Sequence, residues 1–165
     1  MGMNKATLKL RRIEPGDNPG LAALIREVLP GTGAPARGTA LADTSLDRMF
    51  ETYDRPDSAF WVVADEQEVW GGGGIAPLDG GDADTCELQK MYFREELRGM
   101  GFGKALLEKA LQKARELGYA YCYLETMPYM ETALSLYRRY GFEDLSQPLG
   151  CTGHTACQVW MRKKL

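Results

Sequence analysis

Long hydrophobic runs and an excess of positive charge are both missing from this 165-residue sequence. No apolar stretch approaches the roughly 18 residues of a membrane-spanning helix, and the N-terminal segment MGMNKATLKLRR lacks the apolar centre of a secretory signal peptide. The 20 basic and 23 acidic residues give a formal net charge of −3, so no overall charge attracts nucleic acid or an anionic membrane. We therefore expect a cytoplasmic protein that binds neither nucleic acid nor membrane.

Cysteine and histidine are also scarce, with four and one in the chain, which argues against a metal centre. Cys86 and Cys122 lie in apolar runs typical of strands, and without a secretory signal we expect free thiols. The segment CTGHTAC spaces Cys151, His154 and Cys157 like zinc ligands. Structural zinc sites usually take four ligands from two separated pairs, and the sequence offers no second pair, so we predict no metal.

The residues that are present alternate between strand-like and helix-like patterns, at a length that predicts one domain over residues 1–165. Strands are predicted in TLKLRRI, in the hairpin AFWVVADEQEVWGGGGIAPL with its turn at 65–68, and in TCELQKMYF, YAYCYLETM, GFEDL and HTACQVWMRKKL. Helices are predicted from Asp17 to about Leu29, from Thr44 to Tyr53, over residues 103–118, and from about Glu131 to Tyr140. The segment LPGTGAPARGTA is predicted to be a loop that borders a substrate site.

Two glycine clusters differ in their expected role. The run at residues 71–74 precedes no helix, which favours a twisted or bulged strand over a phosphate loop. The stretch LRGMGFGKA at residues 97–105 leads directly into the longest helical pattern, and free amides at a helix N-terminus favour an anion such as phosphate. Its spacing excludes a dinucleotide fingerprint, because Lys104 stands where the third glycine is needed. It also excludes a P-loop, because Arg98 and Ala105 replace the first glycine and the Ser or Thr.

The remaining pattern, Arg98-x-x-Gly101-x-Gly103 after a strand, resembles the acyl-coenzyme A signature of the GCN5-related N-acetyltransferase (GNAT) family. The resemblance extends from about Phe60 to Leu165. It includes, in the family's order, the strand CELQKMYF, the glycine loop, the long helix, the strand CYLET and the segment ALSLYRRYGF. It implies a single-domain α/β (α+β) acyl-coenzyme A N-acyltransferase fold. Such a fold has a mixed, mostly antiparallel twisted sheet with helices on both faces, whose central strands diverge to admit the cofactor.

The resemblance implies acetyl-coenzyme A as co-substrate, with its pyrophosphate at the glycine loop and its pantetheine arm along the preceding strand. The residues assigned to it in this way are Met91, Tyr92, Phe93, Arg98, Gly99, Met100, Gly101, Phe102, Gly103 and Lys104. The family often carries an Asn that contacts the cofactor arm three residues before the alanine of its helical motif. This chain has Met130 there, so that contact is not provided.

The reaction implied is direct transfer of acetyl, in a ternary complex, to a primary amine of a small molecule such as an amino acid or related metabolite. The segment Ala133-x-x-Leu136-Tyr137-x-x-x-Gly141-Phe142 matches the family's helical motif, in which the tyrosine protonates the departing thiolate. The resemblance places the base that deprotonates the amine at Glu87, early on the strand before the loop. We predict that burial raises the pKa of Glu87 toward the working range.

His154 is a second candidate base. It lies in PLGCTGHTAC, which joins the last two predicted strands and in the family runs beside the acceptor pocket. An imidazole with a pKa near 6.5 needs no environmental shift to act at neutral pH. Whether Glu87, His154 or water acts as base stays open at this stage. Two other functions also stay open, a protein or peptide N-terminal acetyltransferase and a non-catalytic acyl-coenzyme A-binding module. Dimers are common in the family, so a homodimer is compatible with the resemblance.

Overall fold

A computed structural model describes residues 2–31 and 33–165, which contain seven strands and four α-helices. The strands are β1 (Lys9–Arg12), β2 (Ala59–Ala64), β3 (Val69–Pro77), β4 (Thr85–Phe93), β5 (Tyr121–Thr126), β6 (Glu143–Leu145) and β7 (Val159–Lys164). The helices are α1 (Asn18–Gly31), α2 (Met49–Tyr53), α3 (Phe102–Glu116) and α4 (Glu131–Arg139). None of the helices described is long and apolar enough to cross a membrane.

The seven strands form one sheet in the order β1-β2-β3-β4-β5-β7-β6. Every neighbouring pair is antiparallel except β4 and β5, which are parallel. Parallel neighbours need a crossover connection, and α3 supplies it between these two strands. The predicted fold class, an α/β fold with a mixed and mostly antiparallel sheet, is confirmed.

Helices cover both faces of the sheet, as the resemblance implied. On one face α1 and α2 pack against β2 and β3 through a cluster that includes Leu24, Met49 and Phe60. On the other face α3 and α4 pack against β4 and β5 through a cluster that includes Leu107, Leu124 and Tyr137. The apolar stripe predicted for α3 is buried in this second cluster, so the helix after the glycine loop is fixed to the sheet along its whole length.

The glycine run of β3 is a paired and buried strand, as the sequence favoured. Residues 71–74 pair with residues 60–63 of β2. A Cβ added at Gly71 would lie 2.3 Å from Cδ1 of Phe93, and one added at Gly74 would lie 2.4 Å from the carbonyl oxygen of Ala59. These glycines therefore allow aromatic side chains and neighbouring backbone to cover β3 closely.

Several element boundaries differ from the prediction, most of them by one or two residues. The helix predicted from Thr44 begins only at Met49, because the side chain of Asn18 accepts a hydrogen bond from the Phe50 amide at 2.7 Å and fixes the helix start there. The last strand begins at Val159 and not at His154, because its partner β5 ends at Thr126, opposite Val159. Helix α1 runs to Gly31, so the first residues of the predicted loop are helical, and position 32 of that loop lies outside the described residues.

Candidate active site

Strands β4 and β5 separate in the middle of the sheet and open a pocket between them. They pair only over Thr85–Glu87 and Tyr121–Tyr123. Beyond this pairing the space is lined by side chains of β4, β5 and the start of α4, among them Leu88, Met91, Tyr92, Leu124, Thr126, Met130 and Tyr137. The divergence predicted from the resemblance is therefore present.

A β-bulge in β4 lies at the point where the strands separate. Gly72 pairs with Tyr92 and Gly74 with Gln89, so two residues of β4, Lys90 and Met91, stand opposite one residue of β3. Lys90 has a φ of 51°, which lies in the left-handed region that residues other than glycine rarely adopt. The bulge interrupts the regular pairing of β4 with β3 at the point where Lys90, Met91 and Tyr92 line the opening.

The candidate pantetheine residues on β4 divide into two groups. Met91 and Tyr92 line the opening. Phe93 instead covers β3, because its ring lies against the position where Gly71 would carry a side chain. Phe93 can therefore contribute its backbone to a ligand in the opening, while its side chain belongs to the core.

The glycine loop begins α3 in a geometry that suits an anion. Gly99 and Gly101 have φ of 75° and 79°, and a Cβ added at either would meet no described atom within 4 Å. Gly101 is the N-cap of α3 and no described side chain caps that helix, so the amides of its first turn are free of a side-chain acceptor. A helix N-terminus with free N–H groups and open space beside it can bind an anion, which is compatible with the predicted pyrophosphate site.

The remaining loop residues differ in exposure. The side chain of Arg98 is exposed and forms a 3.5 Å ion pair with Glu95, within reach of the helix start. Met100 is also exposed. Phe102 packs toward Leu97 and Phe93, which fixes the loop to the core, and Lys104 is exposed on the first turn of α3. Gly103 has room for a methyl group, since its nearest neighbours would lie 3.7 Å from an added Cβ.

Tyr137 reaches the opening from α4. Its side chain is buried with 6% exposure and packs edge-on against Phe142, the last residue of the predicted motif, with 5.8 Å between ring centroids. Burial raises the pKa of Tyr137 well above its ordinary value, so the hydroxyl stays protonated at neutral pH. Met130 lines the same opening and accepts a hydrogen bond from Thr126 on its sulfur at 3.3 Å, in the position where the family often has Asn.

Glu87 is buried on the opposite side of the sheet from Tyr137's helix, with 4% exposure. It points to the face covered by α1 and α2, because its neighbours Cys86 and Leu88 belong to the α3 face. Burial raises the pKa of Glu87 to about 7, despite a hydrogen bond that Gln89 donates to its Oε1 at 2.5 Å. The predicted shift of this pKa is thus found, and its main cause is loss of solvent.

His154 lies in the loop before β7 and is held by Asp43. Its Nε2 is 2.8 Å from Oδ1 of Asp43, a residue 111 positions away in the chain. Burial lowers the pKa of His154, but the hydrogen bond and charge of Asp43 outweigh that effect and raise the pKa overall. The structure brings His154 and Glu87 into the same electrostatic environment, since each affects the pKa of the other.

Four residues that sequence reasoning missed connect the two candidate bases. Tyr53 donates to Oε1 of Gln89 at 2.6 Å, and Lys90 donates to the Tyr53 hydroxyl at 3.3 Å and to Oδ2 of Asp43 at 3.0 Å. We call the connected side chains the polar network; its members are Glu87, Gln89, Tyr53, Lys90, Asp43 and His154. The bulge at Lys90 had no sequence signal, and Asp43 and Tyr53 belong to no motif.

A second pocket adjoins the opening, and its wall contacts the loop after α1. Glu125 lines both the opening and a neighbouring pocket whose wall is residues 148–155 with Cys157 and Trp160. The amide of Ala156 donates to the carbonyl of Gly38 at 3.0 Å, which joins this wall to the loop after α1. The predicted loop contacts this wall through Gly38, but none of its described residues lines either pocket, so its role at a substrate site stays a prediction.

The zinc-like spacing does not produce a cluster of ligands. His154 is bonded to Asp43, Cys151 is exposed, and Cys157 is buried against Leu29 and Met127. Over residues 2–31 and 33–165, no group of three or more His, Cys, Asp or Glu side chains could hold a metal ion.

Comparison with known proteins agrees with this geometry. A sequence model of the acetyltransferase (GNAT) family matches residues 32–142. The chain is 47% identical over 157 residues to the uncharacterized N-acetyltransferase YjgM of Escherichia coli, covering 94% of each chain. Its fold matches an acetyltransferase of the GNAT family from Staphylococcus aureus, with a TM-score of 0.78 and 17% identity, covering 95% of this chain and 98% of that one. It also matches the PaiA N-acetyltransferase of Thermoplasma acidophilum, solved in complex with coenzyme A, with a TM-score of 0.67 and 18% identity, covering 96% and 99%.

Proposed function

The chain belongs to the acetyltransferase (GNAT) family, and from this premise we propose that it acetylates a primary amine of a small molecule, such as an amino acid or related metabolite. Family membership makes it an acetyl-coenzyme A-dependent acetyltransferase; the acceptor and the roles of individual residues are the proposal. The observation that carries it is the opening between β4 and β5, which Tyr137 lines. Glu87 is the last residue of β4 paired with β5 before the opening, and no described side chain caps the start of α3.

The co-substrate supplies an acetyl group activated as a thioester, and residues of the chain position the co-substrate and transfer the protons. The first-turn amides of α3, with Arg98 and Lys104 nearby, bind its pyrophosphate. Backbone groups of β4 after the bulge have no partner on β5 among the described residues, which leaves them to hold the pantetheine arm. One such amide binds the negative charge that develops on the carbonyl oxygen.

Two titratable groups then move protons during the transfer: one accepts a proton from the amine, and the other donates a proton to the departing sulfur. An amine at neutral pH is mostly ammonium, so it must lose a proton before it can attack. Glu87, with a pKa of about 7, is half ionised at pH 7 and can take that proton directly or through water. Tyr137, still protonated because of its burial, donates to the departing sulfur. Burial raises the pKa of both groups, which brings Glu87 into the range where it can accept a proton while Tyr137 keeps its own.

A small acceptor fits the pocket better than an extended peptide does. The loops around Gly38 and Ala156 are joined by a backbone hydrogen bond, and His154 is bonded to Asp43 across the same gap. A peptide that passed between these two loops would have to break both contacts. The carboxylate of Glu125 lines the pocket wall, accepts a hydrogen bond from the Thr152 hydroxyl, and is the group we expect to meet a cationic amine.

The test is a thiol-release assay with acetyl-coenzyme A against amino acids, polyamines, aminoglycosides and short peptides. Because Cys151 is an exposed free thiol, the assay should use a Cys151→Ser variant or a blank that contains enzyme alone. We expect release with one class of small amine. Release only with peptides would overturn the choice of acceptor, and coenzyme A binding with no release for any amine would overturn the proposed reaction.

A further inference from the structure

The polar network joins three separate parts of the chain: β4, the segment from Asp43 to Tyr53, and the loop that carries His154. Lys90 lies at its centre with a side chain only 7% exposed. A nearly buried ammonium needs close partners, and Lys90 has the Asp43 carboxylate at 3.0 Å and the Tyr53 hydroxyl at 3.3 Å. The strained backbone of Lys90 in the bulge places its side chain between these two partners.

The direction of each hydrogen bond in the network follows from what each group can do. Lys90 can only donate, so the Tyr53 oxygen accepts from it, and the single hydroxyl proton of Tyr53 is left for Oε1 of Gln89. This orients the Gln89 amide so that its NH₂ group donates to Glu87. The chain of bonds therefore presents a donor to Glu87 and favours its ionised form.

An amide in the chain also limits what the network can transmit. Gln89 is not an acid or a base near neutral pH, so no proton passes through it from Glu87 to Lys90 or Asp43. The network therefore holds its members in position and links their charges, but does not conduct protons.

Asp43 determines which ring nitrogen of His154 carries the proton. The hydrogen bond of His154 and the charge of Lys90 outweigh burial and lower the pKa of Asp43, so its carboxylate is ionised and can only accept. The 2.8 Å contact must then use a proton on Nε2 of His154. In the neutral ring this leaves Nδ1 as the basic nitrogen.

We propose that Asp43 is a positioning residue for acetyl transfer, which fixes His154 in the tautomer with a basic Nδ1 and, through Lys90, Tyr53 and Gln89, orders Glu87. The inference rests on the proposed function for its kinetic consequences, but its structural content does not depend on the acceptor. A single carboxylate thus holds both candidate bases, and loss of Asp43 affects the two together.

The charged groups around His154 set the expected titration. Asp43 and Glu87 raise its pKa, Lys90 lowers it, and Glu125 on β5 adds a further nearby carboxylate. Because Asp43 is the nearest of the acids and is hydrogen-bonded, its replacement by Asn should lower the pKa of His154 by about 1 pH unit, within the range for loss of an adjacent opposite charge.

His154 is the only histidine, so NMR of imidazole ¹H, ¹³C and ¹⁵N signals in tag-free protein reports on it without assignment. We expect the Nε2–H tautomer in the wild type and a lower pKa in Asp43→Asn. Asp47→Asn is the matched control, because Asp47 is on the same segment but pairs with Arg26 at the exposed surface. The Nδ1–H tautomer, or an unchanged His154 pKa in folded Asp43→Asn, would overturn the proposal. If Asp43→Asn does not fold, the tautomer of His154 in the wild type tests the proposal on its own.

Kinetics with the acceptor found in the screen test the second half of the proposal. Asp43→Asn should lower kcat and leave the KM for acetyl-coenzyme A unchanged, since Asp43 contacts Lys90 and His154 while the proposed phosphate site is at the glycine loop. The double variant Asp43→Asn/His154→Gln should be no slower than the slower single variant, because both substitutions disrupt the same Asp43–His154 pair. Independent, multiplicative losses would contradict the proposal. The NMR result stands even if no acceptor is found, so failure of the proposed function and failure of this inference are distinguishable.

Discussion

Replacing Glu87 with Gln should make the protein more stable at high pH while it makes the enzyme slower. Burial raises the pKa of this carboxyl from 4.5 to about 7 in the folded protein. The folded state therefore binds a proton more tightly than the unfolded chain does, and between these pH values it holds more protons. Under such conditions the free energy of unfolding falls as pH rises.

The size of the effect follows from the shift. A carboxyl whose pKa rises from 4.5 to about 7 costs the fold about 3 kcal/mol once it is fully ionised. The wild type should lose this amount relative to Glu87→Gln between about pH 4.5 and pH 8. Groups that do not interact with Glu87 titrate equally in both proteins and cancel from the difference. His154 does not cancel fully, because the charge of Glu87 raises the pKa of His154 in the wild type.

Urea unfolding of both proteins at intervals from pH 4.5 to 8 measures this difference directly. Glu143→Gln is the control, because Glu143 is an exposed glutamate on β6 and its replacement should give no such trend. A wild-type minus variant difference that stays constant within about 0.5 kcal/mol would refute the argument that burial controls Glu87. In the catalytic assay, the loss of rate in Glu87→Gln should shrink at high pH, where the amine is already free. A loss that is the same at every pH would indicate positioning and not base catalysis.

Two further predictions concern the acid and the phosphate loop. Tyr137→Phe should lower kcat by ~10²-fold with little change in stability, because the ring contacts remain and only the proton donor is lost. Tyr140→Phe is the control, since Tyr140 lies three residues further at the exposed end of α4. Wild-type turnover in Tyr137→Phe would reject the assignment of Tyr137 as the acid. Gly101→Val should weaken coenzyme A binding, measured by calorimetry, and cost about 1–2 kcal/mol of stability because φ is 79°. Gly118→Val carries similar strain at φ 87° beyond the other end of α3, so equal losses of affinity in both variants would contradict a phosphate site at Gly101.

The parts of the fold that the sequence predicted are those set by local patterns. Strand β4 and the apolar stripe of α3 follow from residue periodicity, and the glycine loop at the start of α3 follows from its place directly before the longest helical pattern. The helical motif places Tyr137 at the opening because α4 can bury only one face. In each case the information lies within about ten residues of chain.

The parts that could not be predicted depend on contacts between distant residues. The Asp43–His154 pair is separated by 111 positions, and neither residue has a neighbour in sequence that indicates the other. The shortened α2 depends on the hydrogen bond that the Phe50 amide donates to Asn18 on α1. The start of β7 depends on where β5 ends. The bulge at Lys90 is set by pairing with β3, which a single strand pattern does not encode.

The glycine run of β3 has a consequence for mutational data. Every single-base change that replaces a glycine adds a Cβ, and at Gly71 and Gly74 that atom would lie within 2.4 Å of Phe93 or of the Ala59 backbone. Twelve consecutive nucleotides thus encode four residues at which nearly every coding change strains the sheet. In a random mutant library, inactive clones should therefore be frequent in this strand, although none of its residues lines the opening. Such clones would report lost protein abundance, and comparing activity per folded molecule would separate them from true active-site mutants.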